Sequence, residues 1–131
     1  MSARSWHVER AGARLILSRR RPARFDLSAQ MRVPLAGRLR LAHQVRQDVW
    51  RAMRGLRGFT PVVEVTRFAD HMILRAGGQM GPAPVTPALQ ARLERVLACP
   101  QRQARWIRCA GGVAAAEWGT PEPAPAAEAA P

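Results

Sequence analysis

Residues 34–58 constrain the fold most, because this long run carries an uninterrupted helical period. Pro34 suits the first turn of a helix, and Gly58 suits the left-handed residue that ends many helices. At 100° per residue, the apolar side chains of this run share one face. They are Leu35, Leu39, Ala42, Val45, Val49, Ala52, Met53 and Leu56. The pattern predicts one long amphipathic helix, which needs an apolar surface to lie on.

Strand patterns occur on both sides of this helix. Residues 14–19 form a short apolar run, and residues 25–33 alternate between apolar and polar side chains without a break. Residues 60–68 are rich in β-branched side chains, which predicts a strand. After a short turn, residues 71–76 are predicted to form the second strand of the same hairpin. We therefore predict an α+β fold in which two β-hairpins flank the helix (ββαββ). Their mainly antiparallel four-stranded sheet would have one face covered by the helix.

The C-terminal third predicts two short helices and a tail. Gly77, Gly78 and Gly81 indicate an irregular loop. Thr86 and Pro87 then form a typical helix start, and Pro100 opens a second helix that runs to about residue 110. From residue 113 onward the chain is mostly Ala, Pro and Glu, which predicts disorder. The predicted organisation is one small basic domain at 1–112 and a low-complexity tail at 113–131.

Charge is the unusual quantity in the composition. The chain has 21 basic residues against 9 acidic ones, a formal net charge of +12, and every basic residue is Arg. Lys and Asn, whose codons are A-rich, are both absent, which indicates a GC-rich bacterial genome. Coding bias therefore explains the choice of Arg over Lys, but not the excess of positive charge. That excess predicts attraction to nucleic acid, to an acidic protein surface or to an anionic membrane.

No pattern predicts catalysis, a metal site or a cofactor. The three histidines lie in unrelated segments, and the neighbouring pair Asp70 and His71 lies at a predicted hairpin tip, where an ordinary turn explains it. Cys99 and Cys109 are ten residues apart, which matches no zinc or redox motif, so we expect two reduced thiols. The sequence therefore predicts a protein without enzymatic activity.

No integral membrane segment is expected either. No apolar run approaches the roughly 18 residues of a membrane span, and the first residues contain no apolar export-signal core. We therefore expect a cytoplasmic protein.

Arginines recur in two of the predicted helices. Each guanidinium can fork onto a phosphate, so we predict a nucleic-acid interface there. Its candidate residues are Arg40, Arg51, Arg54, Arg102, Arg105 and Arg108. An ordinary solvated face is the alternative interpretation. The few aromatic residues are scattered along the chain, which argues against a base-stacking platform. The leading hypothesis is a small non-catalytic accessory protein that contacts nucleic-acid backbone.

Two tryptophans support an alternative function. Trp50 lies at the border of the apolar helix face, and Trp118 lies alone in the predicted tail. Exposed aromatic side chains often anchor protein partners, so both are candidate partner-binding residues. The alternative hypothesis is a non-catalytic adaptor or a subunit of a larger protein complex.

Overall fold

The computed structural model describes residues 6–113, 116–124 and 127–128. Its strands and helices confirm the α+β class. Four strands come first: β1 His7–Ala11, β2 Arg14–Ser18, β3 Arg24–Phe25 and β4 Leu27–Val33. Helix α1 Arg38–Ala52 follows, and then the hairpin of β5 Thr60–Arg67 and β6 Met72–Gln79. The chain continues with α2 Pro87–Ala98, α3 Pro100–Cys109, β7 Glu122–Pro123 and β8 Ala127–Glu128.

The main sheet is antiparallel and wider than the predicted four strands. Six strands pair in the order β1-β2-β5-β6-β4-β7, while β3 pairs with β8 separately. β5 and β6 form the predicted second hairpin, but the predicted pairing of β2 with β4 is wrong. β1 occupies one edge of β2 and β5 the other, so β4 pairs with β6 instead. Residues 19–26 connect β2 to β4, and Ala23 and Phe25 from this connection are buried against the sheet.

Helix α1 covers one face of the sheet, as predicted, but is shorter than expected. It packs on β5, β2 and β6, and Val45 and Val49 are fully buried. The helix begins at Arg38 instead of Pro34 and ends at Ala52 instead of residue 58. Gly55 and Gly58 take φ values of 100° and 78° in the turns that follow. The apolar period continues past the helix because Met53 and Leu56 still contact the core. The apolar period of the sequence therefore indicates which residues contact the core, but it does not give the length of the helix.

Asp26 breaks the predicted long strand at residues 25–33. Its backbone N–H donates to the Gly78 carbonyl oxygen at 2.9 Å, and its carboxylate accepts from the Met80 N–H at 2.9 Å. The break reverses the direction of the preceding side chain. Phe25 therefore packs with Ile16 and Val62 on the face opposite α1, and its predicted position beside Leu27 is wrong.

The prediction of a disordered tail is wrong for its described residues 116–124 and 127–128. β7 pairs with β4, and β8 pairs with β3. The Gly119 N–H also donates to the Arg32 carbonyl oxygen at 2.7 Å. An edge strand such as β4 has unpaired backbone groups, which a short extended segment can pair whatever its composition. The predicted disorder of residues 114–115, 125–126 and 129–131 lies outside the described residues, and the domain boundary at residue 112 stays a prediction.

Removal of residues 113–131 is expected to lower the free energy of unfolding by about 1–3 kcal/mol, because the β4 backbone and Trp106 lose partners. Trp118 packs on Trp106 with ring centroids 6.1 Å apart. Chemical denaturation of the shortened chain measures the loss. Removal of residues 125–131 alone is the control, since it keeps β7 and Trp118. Equal stability of the full chain and the chain ending at residue 112 would contradict the pairing of β7 with β4.

Candidate nucleic-acid interface

Helices α1 and α3 lie side by side and run in opposite directions. The N–H of Gly37, just before α1, donates to the carbonyl oxygen of Ala110, just after α3, at 2.9 Å. Further along α1, Asp48 contacts Arg105 in the middle of α3. α3 begins as predicted at Pro100, and α2 begins as predicted at a Thr86 cap whose hydroxyl accepts from the Leu89 N–H at 3.2 Å. The two helices that carry the predicted arginines therefore present neighbouring surfaces.

Asp48 holds these two helices together. Its side chain is only 5% exposed, and its Oδ2 accepts hydrogen bonds from the Trp106 indole at 2.7 Å and from the Arg105 guanidinium. Its Oδ1 lies 3.7 Å from a guanidinium nitrogen of Arg51. A buried carboxylate is costly unless donors surround it, and here the donors come from both helices. The contact therefore joins α1 to α3 and also brings Arg51 and Arg105 together.

Arg51 and Arg105 have a structural role and still reach solvent. Their side chains are 60% and 41% exposed. Each guanidinium carries five N–H donors, so a contact with one carboxylate leaves donors for another ligand. Arg54 is exposed as well, and its Cζ lies 5.2 Å from the ring centroid of Trp50.

The other predicted arginines extend this surface. Helical geometry turns Arg40 and Arg51 to nearly the same direction on α1, away from the sheet. On α3, one turn separates Arg105 from the half-buried Arg102 on one side and from the exposed Arg108 on the other. Within the described part of the chain, no salt bridge involves Arg40, Arg54, Arg102 or Arg108.

Acidic side chains compensate arginines mainly elsewhere in the molecule. The described ion pairs away from α1 and α3 involve strands, their connections and a hairpin turn. They are Glu64 with Arg14, Glu9 with Arg21, Asp26 with Arg24, and Asp70 with Arg32. The surface of α1 and α3 therefore carries an excess of positive charge. In the described ion pairs of these two helices, Asp48 is the acidic partner.

A cavity of about 350 Å³ lies on the other flank of α1, between this helix, the end of β2 and the start of β5. Sequence reasoning missed it, because its aromatic residues are far apart in the chain. Trp6, Trp50 and Phe59 line it together with Arg19, Arg46 and Arg51. Three of the aromatic side chains that are scattered along the sequence therefore meet at one place, next to three guanidinium groups. Arginines recur throughout the sequence, but their spacing does not indicate which of them line a common cavity.

Arg46 is held against the aromatic wall of this cavity. Its Cζ lies 4.7 Å from the ring centroid of Trp6, and its Nε donates to Nδ1 of His43 at 3.3 Å. Arg19 approaches the same ring at 5.7 Å. Burial lowers the pKa of Arg46, and the nearby charge of Arg19 lowers it further. Burial, and then the charge of Arg46, also lower the pKa of His43, which favours the neutral imidazole that can accept this bond.

The two predicted partner-binding tryptophans differ in their surroundings. Trp50 is 46% exposed at the rim of the cavity. Trp118 is half-buried against Trp106, so the expectation that it lies in an unstructured segment is wrong. The binding of a partner by either tryptophan stays a prediction.

Asp70 and His71, the neighbouring pair noted in the sequence, lie at a hairpin turn as expected. Asp70 and His71 form a 2.6 Å contact at the turn between β5 and β6, where Asp70 is 77% exposed. Over residues 6–113, 116–124 and 127–128, no group of three His, Cys, Asp or Glu side chains is arranged to hold a metal ion. None of the helices in these ranges is long and apolar enough to cross a membrane.

Comparison of the chain with protein-family models, with curated proteins and with solved structures found no match. Its function is therefore inferred from the geometry of its own residues.

Proposed function

We propose that this protein is a small, basic, non-catalytic accessory protein that contacts nucleic-acid backbone through the arginines of α1 and α3. The supporting observation is the convergence of Arg51 and Arg105 at Asp48. The exposed Arg40 lies on nearly the same face of α1 as Arg51, and the exposed Arg54 lies in the turn after the helix. A cytoplasmic location is part of the proposal.

The chemistry of the surface suits phosphate. Guanidinium groups donate two parallel hydrogen bonds to a phosphate, and a net charge of +12 attracts a polyanion over a longer range. Such contacts read no base sequence, so the proposed binding depends on charge and salt. Asp48 removes part of the charge but orients Arg51 and Arg105, which reduces the side-chain entropy lost on binding.

The double substitution Arg51→Gln/Arg54→Gln tests this proposal. Affinity for an oligonucleotide should fall by a similar factor for unrelated sequences. The slope of log affinity against log salt should become shallower by roughly one unit per lost phosphate contact. Fluorescence anisotropy titrations at several salt concentrations measure both quantities, and thermal unfolding checks that the variant is folded.

The control is Arg10→Gln/Arg67→Gln, which removes the same charge from two exposed positions at the far end of the sheet. It should change affinity much less. If both double variants bind alike, a specific role for the α1 surface is ruled out and only the net charge matters.

An adaptor function is the second candidate, and Trp50 favours it. A Trp that is 46% exposed next to an arginine is typical of the residues that dominate protein–protein affinity. The affinity for an acidic protein partner would fall less with added salt than the affinity for nucleic acid, because the centre of a protein–protein interface is apolar. The molecule that copurifies with the protein, nucleic acid or a second chain, separates the two functions.

A further inference from the structure

We propose that the cavity between α1, β2 and β5 binds one unpaired nucleotide of a single-stranded nucleic acid. The base would lie against Trp50, and the phosphate would lie at Arg46 and Arg19. This inference rests on the proposed function and narrows its ligand from any polyanion to a single strand.

The size and position of the cavity suit one nucleotide. Its volume of about 350 Å³ is at the lower end of the roughly 300–1,000 Å³ that is typical of small-molecule sites. Arg51 lines the cavity and also belongs to the surface of α1 and α3. A strand with one base in the cavity can therefore continue onto the arginines proposed to contact its backbone.

Aromatic side chains supply a surface for stacking. Trp50 is 46% exposed, Phe59 is half-buried, and both line the cavity. Arg54 lies over the Trp50 ring, with 5.2 Å between its Cζ and the ring centroid. Every nucleobase has a π face, so a tryptophan at a cavity rim can stack any base without reading its sequence.

Arg19 and Arg46 supply the positive charge that a phosphate needs. Neither forms a salt bridge within the described ranges, although both lie within 6 Å of the Trp6 ring centroid, at 5.7 and 4.7 Å. The pKa of Arg46 is lowered first by burial and then by Arg19, which means that the two charges repel each other. An anion between them would relieve this repulsion, and phosphate geometry matches the guanidinium donors.

Trp6 forms the inner wall of the cavity. Its side chain lines the cavity and is only 8% exposed, and its indole N–H finds no acceptor among the described residues. The indole nitrogen itself is enclosed by protein atoms. Trp6 therefore contributes apolar ring surface to the cavity and not a hydrogen-bond donor.

The proposed occupant predicts that the protein binds a single strand in preference to a duplex. In a duplex, each base is paired and stacked between its neighbours and cannot enter a cavity without being extruded. Bases of a single strand are free to leave the stack, and proteins that bind single strands commonly combine aromatic platforms with a basic track.

Trp50→Ala in the full chain tests the base contact. Affinity for a ten-nucleotide single strand should fall about 10-fold at fixed salt, while affinity for inorganic polyphosphate, which has no bases, should stay within about twofold. Trp50→Phe should restore most of the loss, because its ring still stacks. Phe68→Ala is the matched control, since it removes an aromatic side chain that is 48% exposed at the far hairpin turn.

Arg19→Gln tests the phosphate contact. It should reduce the salt slope for the single strand by about one unit, whereas Arg10→Gln at the opposite end of the β1–β2 hairpin should not. Both arginines are exposed, so neither change is expected to affect folding.

The outcomes separate this inference from the proposed function. Steep salt dependence with equal affinity for single strand and duplex, and no effect of Trp50→Ala, would overturn the cavity assignment and leave the backbone contact standing. The absence of salt-dependent binding to either nucleic acid would overturn both. A nucleoside monophosphate that binds as tightly as the strand would show that the occupant is a free nucleotide, which also overturns the assignment to a strand.

Discussion

Gly77→Ala is expected to lower the free energy of unfolding by about 3 kcal/mol or more, although it adds only one methyl group. Gly77 lies in β6, between Ser28 of β4 and Val62 of β5. A Cβ at this position would overlap the Leu27 carbonyl oxygen and lie 2.7 Å from the Ser28 Cα. Both atoms belong to the backbone of β4 and cannot rotate away, so β4 and β6 would have to separate.

Denaturant unfolding of Gly77→Ala measures this loss against Gly12→Ala. Gly12 has a φ of 60° in the turn between β1 and β2, and a Cβ there would meet no atom within 4 Å. Its substitution should cost only the left-handed backbone strain of about 1–2 kcal/mol. Similar losses for both variants would mean that β6 and β4 do not approach as closely as described.

Asp48→Ala is expected to destabilise the protein by about 2–4 kcal/mol. The substitution leaves the buried indole N–H of Trp106 without an acceptor and removes the charge that Arg105 contacts between the helices. The estimate lies below that for a fully buried ion pair, because the Arg105 side chain is 41% exposed and can be hydrated. Thermal and chemical unfolding provide the measurement.

Asp48→Asn and Arg51→Gln separate the contributions of the Trp106 hydrogen bond, the charge of Asp48 and the Arg51 ion pair. Asparagine keeps a carbonyl oxygen for Trp106 but loses the charge, so about half of the destabilisation should remain. Arg51→Gln should cost about 1 kcal/mol or less, because Arg51 is 60% exposed and lies 3.7 Å from the carboxylate. A fully stable Asp48→Ala variant would show that the carboxylate does not join α1 to α3.

Much of the local structure was predictable from the chain. The three- and four-residue period located α1, the burial of Val45 and Val49 follows from its phase, and Thr86 and Pro87 located the start of α2. These features depend on neighbours within one or two turns, and their residue preferences are therefore visible in a short window of sequence.

Strand pairing was not predictable in the same way. The insertion of β5 and β6 between β2 and β4 depends on backbone hydrogen bonds between distant segments, and these carry no residue-specific signal. The cluster of Gly77, Gly78 and Gly81 predicts a loop, but Gly77 and Gly78 lie inside β6. Only the close approach of β4 and of Phe59 explains why glycine is required inside β6.

The sequence by itself determined that the protein is basic, that its arginines recur on two helices and that one long amphipathic helix covers a sheet. Tertiary structure alone decided that Asp48 draws Arg51 and Arg105 together and that Trp6, Trp50 and Phe59 meet at one cavity. The physical reason is the separation along the chain of the residues that interact. Net charge and periodicity are properties of the chain, whereas a buried carboxylate or a shared cavity exists only where packing brings distant side chains within a few ångströms of each other.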